Sequence, residues 1–194
     1  MRGHDSASGW NSRLVNVVAM FGAPALLLIA LNAAHLAFNV SDSMPIGLYQ
    51  VEPVTRPVRA GDIVEVCPPS DADRLAVSRH YLLRNGPCSR GSIYLVKMVA
   101  AVGGDSVEAR GDAIIVNGKA LPNSATLAVD RAGRPLPHVP RRTYRLAPGQ
   151  LWLWTPNPRS WDSRYYGPVP EANVAGLEHL LVAVAPWPYG KARS

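Results

Sequence analysis

A mainly β, antiparallel body behind one N-terminal membrane-spanning helix is the fold class this sequence predicts. Three observations carry it. From Leu14 to Val40 the chain has no Asp, Glu, Lys or Arg. Beyond Val40, short extended runs alternate with turn signals and convincing helical periodicity is scarce. Pro and Gly are abundant, 18 and 16 of 194 residues, as a turn-rich β body requires.

The apolar run comes first in the chain. A bilayer core of about 30 Å needs about 20 helical residues, and this segment supplies them. Gly22 and Pro24 would damage a soluble helix but are tolerated in a spanning one. Arg2 and Arg13 precede the run, whereas Asp42 and Glu52 follow it before any base, so the N-terminus is expected inside and the body exported. A cleaved secretory signal is the competing reading. Its apolar region would be shorter, and the Ala23-Pro24-Ala25 triplet sits mid-run with proline at its centre. The expected organisation is therefore a cytoplasmic stretch 1–13, an anchor 14–40 and an exported domain 41–194.

In the body, the strand candidates are Asp62–Cys67, Ser92–Val102, Ser106–Ala109, Ala113–Val116, Thr143–Leu146, Gln150–Thr155 and Ala175–Ala185. One helix is a candidate between Asp71 and Leu83. Gly111-Asp112 and Asn117-Gly118 are compact turn pairs, the second a hairpin signal. Many short strands with such turns predict a small antiparallel sandwich or barrel-like fold. Residues 120–142, rich in Pro and Arg, read as an extended surface insertion.

Cys67 and Cys88 are the two cysteines. An exported pair is expected to be bridged, and a staple across about 20 residues stabilises by about 3 kcal/mol. Two free buried thiols are the alternative. Neither cysteine has a His or second Cys at ligand spacing, so no metal is expected. The net charge of +6 is uneven: Arg131, Arg134, Arg141, Arg142, Arg145 and Arg159 follow one another with no acid before Asp162. Such a stretch meets water or anionic headgroups. Nucleic acid is not expected, because no recognition motif accompanies the charge.

Three segments carry candidate chemistry. Ser41-Asp42-Ser43-Met44-Pro45-Ile46-Gly47-Leu48-Tyr49 begins where the apolar run ends. A loop serine is more often a turn residue than a nucleophile. In Tyr94 to Asp105, Lys97 is the one charge after Arg90 and before Asp105, set in an apolar strand pattern. It is either a lysine on the polar side of an edge strand or one whose pKa burial depresses until it can act as a base. Ser160-Trp161-Asp162-Ser163-Arg164-Tyr165-Tyr166-Gly167 packs hydroxyls, an acid, a base and aromatics into a short turn. A serine made nucleophilic by a desolvated lysine is established chemistry. The Ser-x-x-Lys arrangement of other acyl enzymes does not occur, and no histidine lies near a recognisable nucleophile motif.

In this order the three segments resemble the boxes of the type I signal peptidase clan. Pro45-x-Gly47-x-Tyr49, Cys67 with Pro87-Cys88, Val116-Asn117-Gly118 and Gly133-Arg134-Pro135-Leu136-Pro137 bring the chain nearer the conjugative-transfer, TraF-type branch. Met98, Ala101 and Gly103 depart from the leader-peptidase pattern without removing a catalytic group. The resemblance implies Ser43 as nucleophile and Lys97 as general base. It implies Ser160 as the hydroxyl orienting Lys97, Ser41 as oxyanion-hole donor, and Asp162 with Arg164 as a supporting ion pair. Met44 and Pro45 fall in the substrate-binding stretch. It further implies an antiparallel β, signal-peptidase-like body held in the bacterial inner membrane by a single pass, its catalytic domain periplasmic. An exported precursor or pilin would bind as an added strand, without cofactor. Contact with a secretion or transfer machine is a further implied partner. Housekeeping signal-peptide removal is the alternative activity, and a non-catalytic tethered binding or assembly module the alternative class.

Overall fold

The computed structural model describes residues 35–189, together with the isolated positions 16, 20 and 22. Most of the expected anchor lies outside the described residues. Its last part is corrected: Leu36–Asn39 forms a strand, β1, and not the end of a helix. A charge-free apolar run reads alike in either conformation, which is why composition misplaced this boundary. Among the described residues no helix is long and apolar enough to cross a membrane.

The remaining elements are β2 (Gly47–Glu52), β3 (Ile63–Val66), α1 (Ser70–Ser78), β4 (Leu95–Ala101), β5 (Ser106–Ala109), β6 (Ile114–Val116), β7 (Lys119–Ala120), β8 (Arg142–Arg145), β9 (Gln150–Trp154), α2 (Ser163–Tyr166), β10 (Val169–Pro170) and β11 (Val174–Ala183). A seven-stranded sheet runs β1-β2-β11-β3-β4-β9-β10, and a four-stranded one runs β7-β6-β5-β8. The pairings from β2 onward are antiparallel. The body is therefore mainly antiparallel β. Asn117 and Gly118, with φ of 48° and 81°, make the two-residue turn between β6 and β7.

Periodicity explains how the large sheet is covered. Along β4, buried Leu95, Lys97, Val99 and Ala101 alternate with half-buried Val96, Met98 and Ala100. Leu95 and Val99 face a core made with Val64, Val66, Leu151, Leu153, Ala72 and Ala76 of α1, and Trp161. On the opposite face Val96 packs with Met44, Tyr49, Ile63 and Leu180. Gly47 has a steric reason to be glycine, because a Cβ there would collide with the Val182 carbonyl oxygen where β2 pairs with β11.

Cys67, just past β3, and Cys88 are joined by a disulfide with Cα atoms 5.4 Å apart, closing the loop that carries α1. The segment 120–142 is largely exposed, as expected of a surface insertion, but it is fastened to the body. Ser124 is buried, accepting from the Ile114 N–H at 2.9 Å and donating to the Leu121 carbonyl at 2.7 Å. Asp130 accepts from the Tyr81 hydroxyl at 2.5 Å and from Arg134 Nε at 2.7 Å. Backbone bonds add to these, with the Asp130 N–H donating to the Arg134 carbonyl at 2.9 Å and the Leu136 N–H to the Ala128 carbonyl at 3.0 Å.

Candidate active site

Lys97 occupies the centre of the large sheet and not an edge. β4 lies between β3 and β9, and Lys97 sits opposite Val64, pointing to the same face as Leu95 and Val99. It is 3% exposed. Burial brings its ammonium pKa down to about 8. Asp162 opposes that shift, Arg164 adds to it, and Asp42 opposes it more weakly. A strand lysine with its head in water is thereby excluded. The two acids and the arginine acting on it come from the first and third candidate segments, so all three segments share one electrostatic neighbourhood.

The first segment is a braced loop. Met44 and Pro45 are buried, Ser43 is half-buried, and Ser41 and Asp42 are exposed. The Tyr49 hydroxyl donates to the Pro45 carbonyl at 2.8 Å. The Ser41 hydroxyl donates to Asn39 Oδ1 at 2.8 Å, so its proton is directed back into the loop. Among the described residues no hydrogen bond joins Ser43, Lys97 and Ser160 to one another. Sites of this kind commonly tighten only with substrate bound.

The third segment is built around an ion pair withdrawn from water. Arg164 donates through Nε to Asp162 Oδ1 at 2.8 Å and through Nη2 to Oδ2 at 2.7 Å, with both side chains 0% exposed. Its guanidinium also reaches the carbonyls of Asn157 at 2.8 Å and Asn123 at 3.1 Å. Asp162 caps α2 by accepting the Arg164 backbone N–H at 3.2 Å. These bonds fix the loop leading back from β9.

Two residues here escaped the sequence reading, and a third, Ser163, was seen only as a member of the third segment. Asn157 joins the first and third segments by donating from Nδ2 to the Asp42 carbonyl at 3.3 Å. Thr155, the residue after β9, is fully buried with an unpartnered hydroxyl. Ser163 Oγ accepts the Leu153 N–H at 2.9 Å, so this serine holds a strand and is not a bystander. Single polar letters in a Pro-rich loop carry no periodic signal that could have singled them out.

Ser160 contrasts with Ser163. It is 2% exposed, and its hydroxyl has no hydrogen-bond partner among the described residues. A buried hydroxyl left unpaired is uncommon and calls for a reason. We expect Ser160→Ala to leave thermal unfolding almost unchanged and to lower single-turnover cleavage at least tenfold, an order-of-magnitude effect of lost alignment. Ser163→Ala should instead cost about 1–3 kcal/mol, by stranding a buried N–H. Denaturant unfolding beside cleavage kinetics separates the two, and equal rates for wild type and Ser160→Ala would remove Ser160 from the site.

A buried lysine with its pKa brought down to about 8, a serine loop and an orphaned hydroxyl are thus gathered from the three candidate segments. The family profile described as "Signal peptidase, peptidase S26" matches residues 9–183. The chain belongs to the signal peptidase family. That membership implies a serine peptidase in general terms. Its relatives include the conjugal transfer protein TraF of Agrobacterium tumefaciens strain 15955, 36% identical over 84% of this chain and 93% of that protein. A plasmid transfer protein TraF of Escherichia coli is 34% identical over 90% of this chain and 97% of that one. A probable conjugal transfer protein TraF of Sinorhizobium fredii is 38% identical over 76% and 77%. A solved signal peptidase I from Enterococcus faecalis aligns with 63% of this chain and 97% of its own at 23% identity, with a TM-score of 0.36, a likeness too loose to carry an argument.

Proposed function

We propose that this signal-peptidase-family chain is a membrane-bound Ser43–Lys97 endopeptidase that processes exported precursors, a pilin or another conjugative-transfer substrate foremost. The observation that carries the reading is Lys97: a lysine buried in a central strand with its pKa brought down to about 8. A neutral amine is the form that can take a proton from serine. Ser43 Oγ attacks the scissile carbonyl as Lys97 accepts its proton. The same proton then goes to the leaving amine. The Ser43 backbone N–H and the Ser41 hydroxyl stabilise the oxyanion, each such donor being worth about 3–4 kcal/mol in the transition state. Ser41 must first turn its proton away from Asn39. Ser160 orients the lysine, and the substrate binds as an added strand; Met44 and Pro45, expected in the substrate-binding stretch, are buried and brace the loop instead.

The transfer role rests on the TraF relatives, whose names tie those proteins to conjugal or plasmid transfer. The charge-free run ahead of β1 supports a single-pass anchor in the inner membrane with the active domain on the periplasmic side. The acyl-enzyme is resolved by water or by the substrate's own amine, which would give a cyclic product.

Acid quenching during cleavage of a candidate pilin precursor, followed by mass mapping, tests the proposal. The expected result is a substrate acyl group on the Ser43 peptide. A linear product indicates hydrolysis, and one lighter by a water indicates cyclisation. Preferential cleavage of unrelated signal-bearing precursors would point to a housekeeping peptidase. No cleavage and no adduct with any precursor would leave a tethered binding module.

A further inference from the structure

Asn39 ends β1 just ahead of the nucleophile loop, outside every motif discussed above. Its carboxamide is directed wholly at that loop. Oδ1 accepts the Ser41 backbone N–H at 3.0 Å and the Ser41 hydroxyl at 2.8 Å. Nδ2 faces the carbonyls of Ser41 at 3.0 Å, Met44 at 3.2 Å and Pro45 at 3.1 Å. One side chain therefore grips the backbone on both sides of Ser43. Tyr49 holds the Pro45 carbonyl a second time, and Met44 is plugged into the core beside it. A loop this short cannot pair its own backbone groups, so a side chain supplies the partners.

We propose that Asn39 is a positioning residue, folding the Ser41–Pro45 loop around its amide so that Ser43 is presented to Lys97. The inference rests on Ser43 being the nucleophile. Without the amide, water can satisfy each freed carbonyl but does not fix one loop conformation. The rate then falls through lost geometry, while every reacting group remains in place.

The test is Asn39→Ala and Asn39→Asp beside Ser43→Ala, each in the full chain solubilised in detergent, with kcat, KM and thermal unfolding measured on a precursor that wild type cleaves. Asn39→Ala should lower kcat about 100-fold, the scale of a small misplacement at a reacting centre. KM and unfolding temperature should stay near wild type, and the pH–rate midpoint should remain near the Lys97 pKa of about 8. Asn39→Asp keeps the acceptor for Ser41 but turns an anionic oxygen on three carbonyls, so it should fall at least as far. A merely structural Asn39 would lower the unfolding temperature and leave kcat per folded molecule at the wild-type value. That outcome, or wild-type kcat in Asn39→Asp, overturns the inference. If Ser43→Ala still cleaves, the nucleophile assignment fails first. If Ser43→Ala is inert while Asn39→Ala turns over normally, only the role of Asn39 fails.

Discussion

Lys97→Met should abolish cleavage and, at the same time, make the protein more stable. In water the lysine is charged below about 10.5, whereas in the folded body burial brings that value down to about 8. The folded state therefore binds fewer protons than the unfolded state between those two values. The resulting penalty is fully present below about pH 8 and fades as pH rises towards 10.5. A depression of that size corresponds to about 3 kcal/mol for a group taken fully out of water. Methionine fills the same strand position without a charge to desolvate. Unfolding at pH 7 should thus move up by roughly 5–10 °C, with the gain shrinking above pH 8. Cleavage should fall by at least about 10⁴-fold, as when a member of a nucleophile–base pair is removed. Ser43→Ala should lose as much, and the double variant little more than either alone, because the two act as one unit. Thermal unfolding across pH beside single-turnover assays checks both halves. Loss of activity together with loss of stability would mean that Lys97 is structural.

Arg164→Met should be the most destabilising single change in the site. It removes both side-chain hydrogen bonds to Asp162 and leaves that carboxylate buried without its counter-charge, together with the Asn157 and Asn123 carbonyls. Breaking one side of a buried pair costs about 3–5 kcal/mol. Replacing both partners by apolar residues should cost less than this single change, since no buried charge is then stranded. The variant also carries an electrostatic signature. Arg164 lowers the Lys97 pKa and Asp162 raises it. With Arg164 gone, the midpoint of the pH–rate profile should move upward. Arg164→Lys keeps the charge but loses the planar fork, so it should restore the midpoint more fully than the stability. Denaturant unfolding reads the first effect and the pH profile the second. An unchanged midpoint in Arg164→Met would place Arg164 outside the field that Lys97 feels.

Much of this architecture is legible in the sequence because strand alternation and turn chemistry are local. β5 falls on its expected residues, and β3, β4, β6, β8, β9 and β11 deviate only at their ends. The helix candidate Asp71–Leu83 is shorter in the structure, ending at Ser78. β1 and β2 were not legible. β1 hides inside an apolar run, and β2 mixes Gly, Gln and Glu with its apolar residues, so neither alternation nor length marks it. Burial of a lysine is likewise a tertiary fact. Whether β4 is an edge or a centre depends on β9, which arrives from a distant part of the chain. The same holds for Glu178, a buried carboxyl pushed up to about 8 by its burial and by neighbouring Glu65. Its letter reads as a solvated strand residue. The motif residues were visible as chemistry, whereas Asn39 and Asn157 act through backbone groups that a sequence does not display.

Every step of this chemistry depends on Lys97 acting as a neutral base towards Ser43. The most direct measurement is the pH dependence of single-turnover cleavage, with chemistry rate-limiting and the enzyme folded at every pH. The predicted profile rises with pH through a single midpoint near 8, the value to which burial brings Lys97, and the rise disappears in Lys97→Met along with the activity. A rate that is flat from mildly acidic to mildly alkaline pH, or a Lys97→Met enzyme that cleaves at the wild-type rate, would contradict it.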